Sequence, residues 1–340
     1  MLLEFPLSPC SARIPLHRNT VREDEKCGTM NEDIIVPIHK MGASPASSRV
    51  FNIAFTIALC ATTSIDPVPM PELPEVETTR LGLLPHVQGQ RISRVIVRDR
   101  RLRWPVPADF SRRIKGCTVQ DVLRRGKYLL WDCESGYVLS HLGMSGSLRV
   151  VAASEMAGKH DHIDFAFDSG IAIRYTDPRR FGAMLWIPGR NTAHPLLDSL
   201  GPEPLAPEFN AVHLAGTSRD RSVSIKEFVM NSHVVVGVGN IYASESLFLA
   251  GIHPKRAAGK ISFSRYERLV DAIKQTLANA IRAGGSSLRD YVQANGEPGY
   301  FQVNAFVYAR EGQACRVCKT QIRAIRQGQR STYFCPSCQT

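Results

Sequence analysis

The chain has 340 residues, 44% hydrophobic and 21% charged, with a formal net charge of +11. That composition excludes a disordered polyelectrolyte or a low-complexity chain, and the length suits two domains or one large one. No apolar run reaches the 18 or so residues that span a bilayer, so no membrane helix is expected.

Residues 1–69 carry six Lys/Arg and seven Asp/Glu. The remaining 36 basic and 24 acidic residues give 70–340 a charge of +12. A basic body suits a polyanionic partner, most simply nucleic acid, though a basic surface with no partner fits as well. The first 69 residues show no periodicity and are rich in Ser, Pro and Thr around 43–48 and 62–69. They read as poorly ordered, or as lying outside the working protein. The stretch "VFNIAFTIALCATT" (50–63) is the one candidate targeting segment, but a single preceding Arg49 and a poor cleavage site argue against a signal peptide.

The character changes at "MPELPEVETTR" (70–80). Pro74 can open a helix, with Glu75 and Glu77 favouring its first turn. Val76, Leu83 and Leu84 supply an apolar stripe up to Pro85. Seven strand-like runs follow, at 91–99, 117–125, 127–133, 136–143, 162–168, 171–177 and 182–188. Turn residues separate them, as in an antiparallel sandwich or barrel. "LGPEPLAPEF" (200–209) reads as a domain boundary. Helical patterns are expected at 224–233, 240–251, 263–283 and 286–294, then short strands from about 305.

Four of the nine cysteines form C-x2-C-x16-C-x2-C at Cys315, Cys318, Cys335 and Cys338. Two such knuckles place four thiolates around one ion, which predicts structural zinc with every coordination position filled. "VGVGNIYASESLF" (236–248) leads glycines into Asn240, an expected N-cap, and a helix start of this kind can hold a phosphate. "RRGKYLL" (124–130) sets Lys127 after a glycine. "SHLGMSGSL" (140–148) sets His141 and Met144 in a glycine-rich turn. In "YTDPRRFGAM" (175–184), Arg179, Arg180 and Phe181 follow an Asp-Pro turn, a grouping suited to wedging between bases. Taken singly, each of these short stretches is more often structural than functional.

Taken together and in this order, with "KHDH" (159–162), "GGSSLRDY" (284–291) and "PGYF" (298–301), they closely resemble the bacterial formamidopyrimidine-DNA glycosylases. These enzymes excise oxidised purines such as 8-oxoguanine. The likeness covers 70–340 and leaves out 1–69. It implies a multidomain α+β protein. An N-terminal helix and antiparallel β-sandwich would occupy 70–199, a helix-two-turn-helix domain 200–304, and a zinc-finger β-ribbon 305–340. It also implies one structural Zn2+, duplex DNA bearing oxidised purines or abasic sites as partner, a monomer, and a place in the bacterial cytoplasm on nucleoid DNA.

The resemblance further implies that Pro71 is the nucleophile through a free N-terminal amine. A prolyl nitrogen inside a chain is a tertiary amide without a usable lone pair, whereas an α-amino group has a pKa near ~8. A working Pro71 therefore requires the chain to begin there, as it would if Met70 were the true start and were then removed. Glu72 becomes the acid–base residue, with Glu75 and Glu245 supporting. Lys127 and Arg330 join the catalytic set as phosphate-holding cations. His141, His160, Arg179, Arg221 and Asn240 contact DNA, and Lys226 lies near the lesion. Met144, Arg179 and Phe181 fill the gap left by the flipped base, and 286–304 covers that base. Two alternatives stay open: an endonuclease VIII-like enzyme for oxidised pyrimidines, although Leu73 and "YTDPRRFG" favour the purine enzyme, and a non-catalytic lesion binder that retains residues 1–69.

Overall fold

In a computed structural model of the chain, residues 71–285 and 305–340 are described, all inside one compact unit, Thr62–Thr340. The expected disorder of 1–69, the helix at 286–294 and the base-covering segment 286–304 fall outside the described residues.

Helix α1 spans Leu73–Val87 and opens with proline in its first turn, where a missing N–H costs nothing. Glu75 reaches back to accept the Glu72 N–H at 2.9 Å. Leu73, Val76, Leu83 and Val87 are buried. The helix does not stop at Pro85; Pro85 sits inside its last turn, on an exposed stretch.

Eight strands follow, not seven. They are β1 (Ile92–Val97), β2 (Asp121–Arg125), β3 (Tyr128–Asp132), β4 (Gly136–His141), β5 (Ser147–Ala152), β6 (Asp161–Phe167), β7 (Ile171–Thr176) and β8 (Ala183–Pro188). They form two four-stranded antiparallel sheets, ordered β1-β6-β7-β5 and β2-β3-β4-β8. Alternation turns Val122, Leu129, Trp131, Ile163, Phe165 and Ile173 into the shared core. The Trp131 indole N–H donates to Ser140 at 2.9 Å, so its polar edge is satisfied while its ring packs on Phe165. A short helix α2 (Phe110–Ile114) adds Phe110 and Ile114 to this core.

The helical region holds α3 (Pro195–Asp198), α4 (Ala211–Ser218), α5 (Ile225–Val229), α6 (Asn240–Leu249) and α7 (Phe263–Arg282). The buried stripe of α7 (Tyr266, Leu269, Ile273, Leu277, Ala280) packs against α6, α4 and α1. Last comes a hairpin of β9 (Arg323–Gln327) and β10 (Arg330–Phe334), lying between the two cysteine pairs.

Several links fix the sandwich to the helical region, two of them outside the site described below. The Leu73 N–H donates to the Gly237 carbonyl at 3.1 Å. Glu203 accepts from Arg124 at 2.7 Å, Arg125 at 3.1 Å and the Gly126 N–H at 2.6 Å. The second link holds the β2–β3 turn, and with it Lys127, against the helices.

Candidate active site

The start of α1 and the start of α6 meet. Glu72, only 2% exposed, turns its carboxylate onto the first N–H groups of α6. Oε1 accepts from Ile241 at 3.0 Å and Oε2 from Tyr242 at 3.4 Å. Gly239 makes this possible, because a Cβ there would stand 2.1 Å from Glu72 Cδ. The N-terminus of α6 thus holds a carboxylate of the chain itself, not the phosphate that its glycines suggested. Tyr242 donates its hydroxyl to Glu75 at 2.6 Å, and Glu75 in turn holds the Glu72 N–H. Pro71 immediately precedes this clasp.

Burial pushes the Glu72 carboxyl up to about 7. The Lys127 ammonium opposes the rise, the Glu75 carboxylate adds to it, and the two α6 N–H groups oppose it. A carboxyl balanced there can give and take a proton at neutral pH. Burial lowers the pKa of half-buried Lys127, against the pull of Glu72 and Glu75 and with the repulsion of Arg330.

Asn240 is the first residue of α6, and Gly239 is the N-cap, so the expected Asn240 cap is not made. Its side chain is drawn away by tertiary partners: Oδ1 accepts from Lys226 at 2.5 Å and Nδ2 donates to the Ser331 carbonyl at 3.0 Å. Lys226 also donates to Thr332 Oγ1 at 2.6 Å and to the Ser331 carbonyl at 3.3 Å. These bonds dock β10 on α5 and α6 and bring exposed Arg330 to the same site. Burial lowers Lys226 to about 7, with Glu72 opposing and Arg330 adding. Glu245, deeper on α6, accepts the N–H groups of Phe306, Val307 and Tyr308 at 2.7–2.9 Å. It ties the start of the C-terminal segment to the helix.

A second group forms at the sandwich edge. His141 accepts the Gly143 N–H on Nδ1 at 3.1 Å and packs on Tyr128. Burial, Lys127 and Arg103 drive its pKa down to about 4, so it is neutral, with Nε2–H as its donor. Met144 and Phe181 line one cavity of about 470 Å³ with Arg101, Arg103 and Arg180. Phe181 is 42% exposed, and the Arg179 guanidinium lies 5.2 Å from its ring centre. His160 sits at the foot of the same loop, its carbonyl accepting the Asp177 N–H at 3.0 Å. Arg221 is exposed in the α4–α5 turn against Gly259, and nothing among the described residues links it to either group.

The four cysteine sulfurs lie within 4.8 Å of one another, with Cys318–Cys335 at 3.4 Å and Cys315–Cys338 at 3.9 Å. Four thiolates at 2.3 Å around a zinc ion stand about 3.8 Å apart, so the cluster fits that ion. The N–H groups of Val317 and Cys338 point at Cys315 and Cys335 sulfurs, as zinc knuckles require.

Residues 70–184 match the formamidopyrimidine-DNA glycosylase N-terminal domain, 200–292 the H2TH domain of that enzyme, and 312–340 the zinc finger found in FPG and IleRS. The chain belongs to the formamidopyrimidine-DNA glycosylase family. The family's enzyme from Thioalkalivibrio sulfidiphilus is 58% identical over 270 residues, 79% of this chain and all of that one. A Lactococcus lactis Fpg mutant solved with Fapy-dG-containing DNA superposes with a TM-score of 0.74 at 33% identity, covering 79% of this chain and 100% of that one. The Lactococcus lactis Fpg solved with abasic-site DNA gives 0.74 at 33%, covering 79% and 99%. The chain is therefore a base excision repair glycosylase with an Fpg-type zinc finger, whose four cysteines would hold one structural zinc ion.

Sequence reasoning missed several members of the site. Tyr242, Gly239 and Thr332 act only across elements distant in sequence. Arg101 and Arg103 lie in an arginine-rich stretch (98–103) whose charge density was a usable signal.

Proposed function

We propose that this glycosylase removes oxidised purines, 8-oxoguanine and formamidopyrimidines, from duplex DNA and then cuts the resulting abasic site. The damaged nucleotide is flipped from the stack. The Pro71 amine attacks C1′, the glycosidic bond breaks, and the base departs with its electron pair. Glu72 protonates the sugar ring oxygen as the ring opens, leaving a Schiff base between C1′ and Pro71. Loss of a C2′ proton expels the 3′ phosphate, and a second elimination expels the 5′ phosphate. Lys127 and Arg330 offset the charge of those phosphates, with His141, His160, Arg179, Arg221 and Asn240 along the strand. Lys226 stands beside the lesion, and Met144, Arg179 and Phe181 fill the vacated stack.

The observation that carries this reading is Glu72, buried beside Pro71 on the first N–H groups of α6 with its carboxyl raised to about 7. The Lactococcus enzymes solved with Fapy-dG and abasic-site DNA support the choice of substrate. The sandwich through 199, the helices of 200–304 and the ribbon of 305–340 act as three domains of a monomer working on nucleoid DNA in the cytoplasm. The amine exists only when Pro71 is the first residue, so the working form starts there. Incision of matched duplexes carrying 8-oxoguanine or an oxidised pyrimidine tests the reading. Faster cutting of the 8-oxoguanine strand is expected. Faster cutting of the pyrimidine lesion would assign the enzyme to the sister activity, and binding without cutting would make it a lesion binder.

A further inference from the structure

The two loops that carry Met144 and Phe181 are separated by more than thirty residues, yet one buried carboxylate holds both. Asp177 is 0% exposed. Its Oδ1 accepts the Ser145 hydroxyl at 2.7 Å; its Oδ2 accepts the Tyr175 hydroxyl at 2.9 Å and the Gly182 N–H at 2.9 Å. Ser145 then accepts the Arg179 N–H at 3.1 Å. The backbones also touch directly: a Cβ on Gly143 would lie 2.5 Å from the Phe181 carbonyl carbon, and one on Gly182 would lie 2.5 Å from the His141 carbonyl oxygen.

We infer that Asp177, acting through Ser145, is a positioning residue that fuses the Met144 and Arg179–Phe181 loops into one wedge, so that all three side chains enter the DNA stack together. This rests on the gap-filling reading above. A wedge built from two independent loops could insert one residue at a time. A wedge with shared hydrogen bonds and no room between its backbones inserts whole or not at all. Among the described residues the side-chain hydrogen bonds of Asp177 and Ser145 run to each other and to Tyr175, Arg179 and Gly182, and none runs to Pro71 or Glu72, so the clasp governs base extrusion and leaves the bond-breaking step to other residues.

Single-turnover excision from a fully paired 8-oxoguanine duplex is measured beside incision of a pre-formed abasic duplex, with 2-aminopurine next to the lesion reporting insertion. Met144→Ala, Phe181→Ala and the double variant are each made with and without Ser145→Ala. A fused wedge gives a double variant no slower in excision than the worse single. Ser145→Ala alone slows excision and the fluorescence rise on the order of tenfold, and in its presence the two alanine effects multiply. Effects that multiply already with Ser145 intact, or normal excision by Ser145→Ala, would overturn the inference and leave the gap-filling role standing. If instead Met144→Ala and Phe181→Ala slow both reactions equally, in step with a lower Tm, both are core fillers and the gap-filling reading falls as well. Asp177→Asn should act like Ser145→Ala, since an amide has a single acceptor oxygen and cannot accept from both Ser145 and Gly182 as the carboxylate does. Should that variant fail to fold, Ser145→Ala decides alone.

Discussion

Gly239 is the space into which Glu72 fits. Its φ of −118° and ψ of −160° suit any residue, so alanine there would bring no backbone strain, only a Cβ within 2.1 Å of Glu72 Cδ. Gly239→Ala should therefore push the carboxylate off α6 and imitate a loss of the acid. Excision is expected to fall roughly 10²–10⁴-fold, with stability down by about 1–3 kcal/mol and damaged-DNA affinity near normal. Full excision by this variant would show that Glu72 needs no hold from α6.

The raised carboxyl sets a pH dependence. Glu72 shifts from 4.5 to about 7 in the folded protein. Its neutral form favours folding below about pH 4.5, and that contribution is lost as pH rises through about 7. Glu72→Gln cannot ionise, so its Tm should gain on the wild-type Tm between pH 4.5 and 7 and then level off. The gain is on the order of 3 kcal/mol at most. A constant difference across that range would mean that Glu72 titrates normally.

Burial also depresses Lys226, to about 7. An arriving phosphate favours the charged amine, so DNA binding at pH 8 should take up protons, and uptake should shrink at pH 6, where Lys226 is already charged. Calorimetry in buffers of different ionisation enthalpy measures this. Binding heats independent of buffer at pH 8 would contradict the low value for Lys226.

The strands and the cysteine knuckles were legible because their signals are local: short strand-like runs set apart by turn residues, and C-x2-C spacing. Strand β5 was missed because "SLRVVA" follows directly on a glycine-rich turn that hid its start. Helix α4, "AVHLAGTS", is short and rich in small residues, which leaves little stripe to recognise. Asn240 looked like a cap because glycines lead into it and a helix follows, and only Lys226 and Ser331 in three dimensions explain why it does not cap. The candidate residues were found as a set through the order of the motifs. Their geometry, above all Glu72 on α6, depends on contacts across about 170 positions and left no local trace.

Zinc should act at a distance through the hairpin. Thr332 and Ser331 dock on Lys226 and Asn240, so the ribbon's order places Arg330. Cys338→Ser, or chelation, should release the ribbon and weaken DNA binding while the sandwich keeps its far-UV circular dichroism. Arg330→Ala in zinc-loaded protein should lower the salt slope of binding by about one unit. Normal affinity after complete zinc removal would mean that the ribbon does not clamp DNA.

The nucleophile is tested most directly by borohydride trapping on an 8-oxoguanine duplex, with the cross-link mapped by mass spectrometry. Two forms are compared: one expressed from Met70, whose intact mass shows Pro71 first, and one keeping residues 1–69 with Met70→Leu. The expected result is a trapped complex only for the first form, with the sugar on the Pro71 nitrogen. Equal trapping of both forms, or a cross-link on Lys127 or Lys226, would contradict the assignment of Pro71.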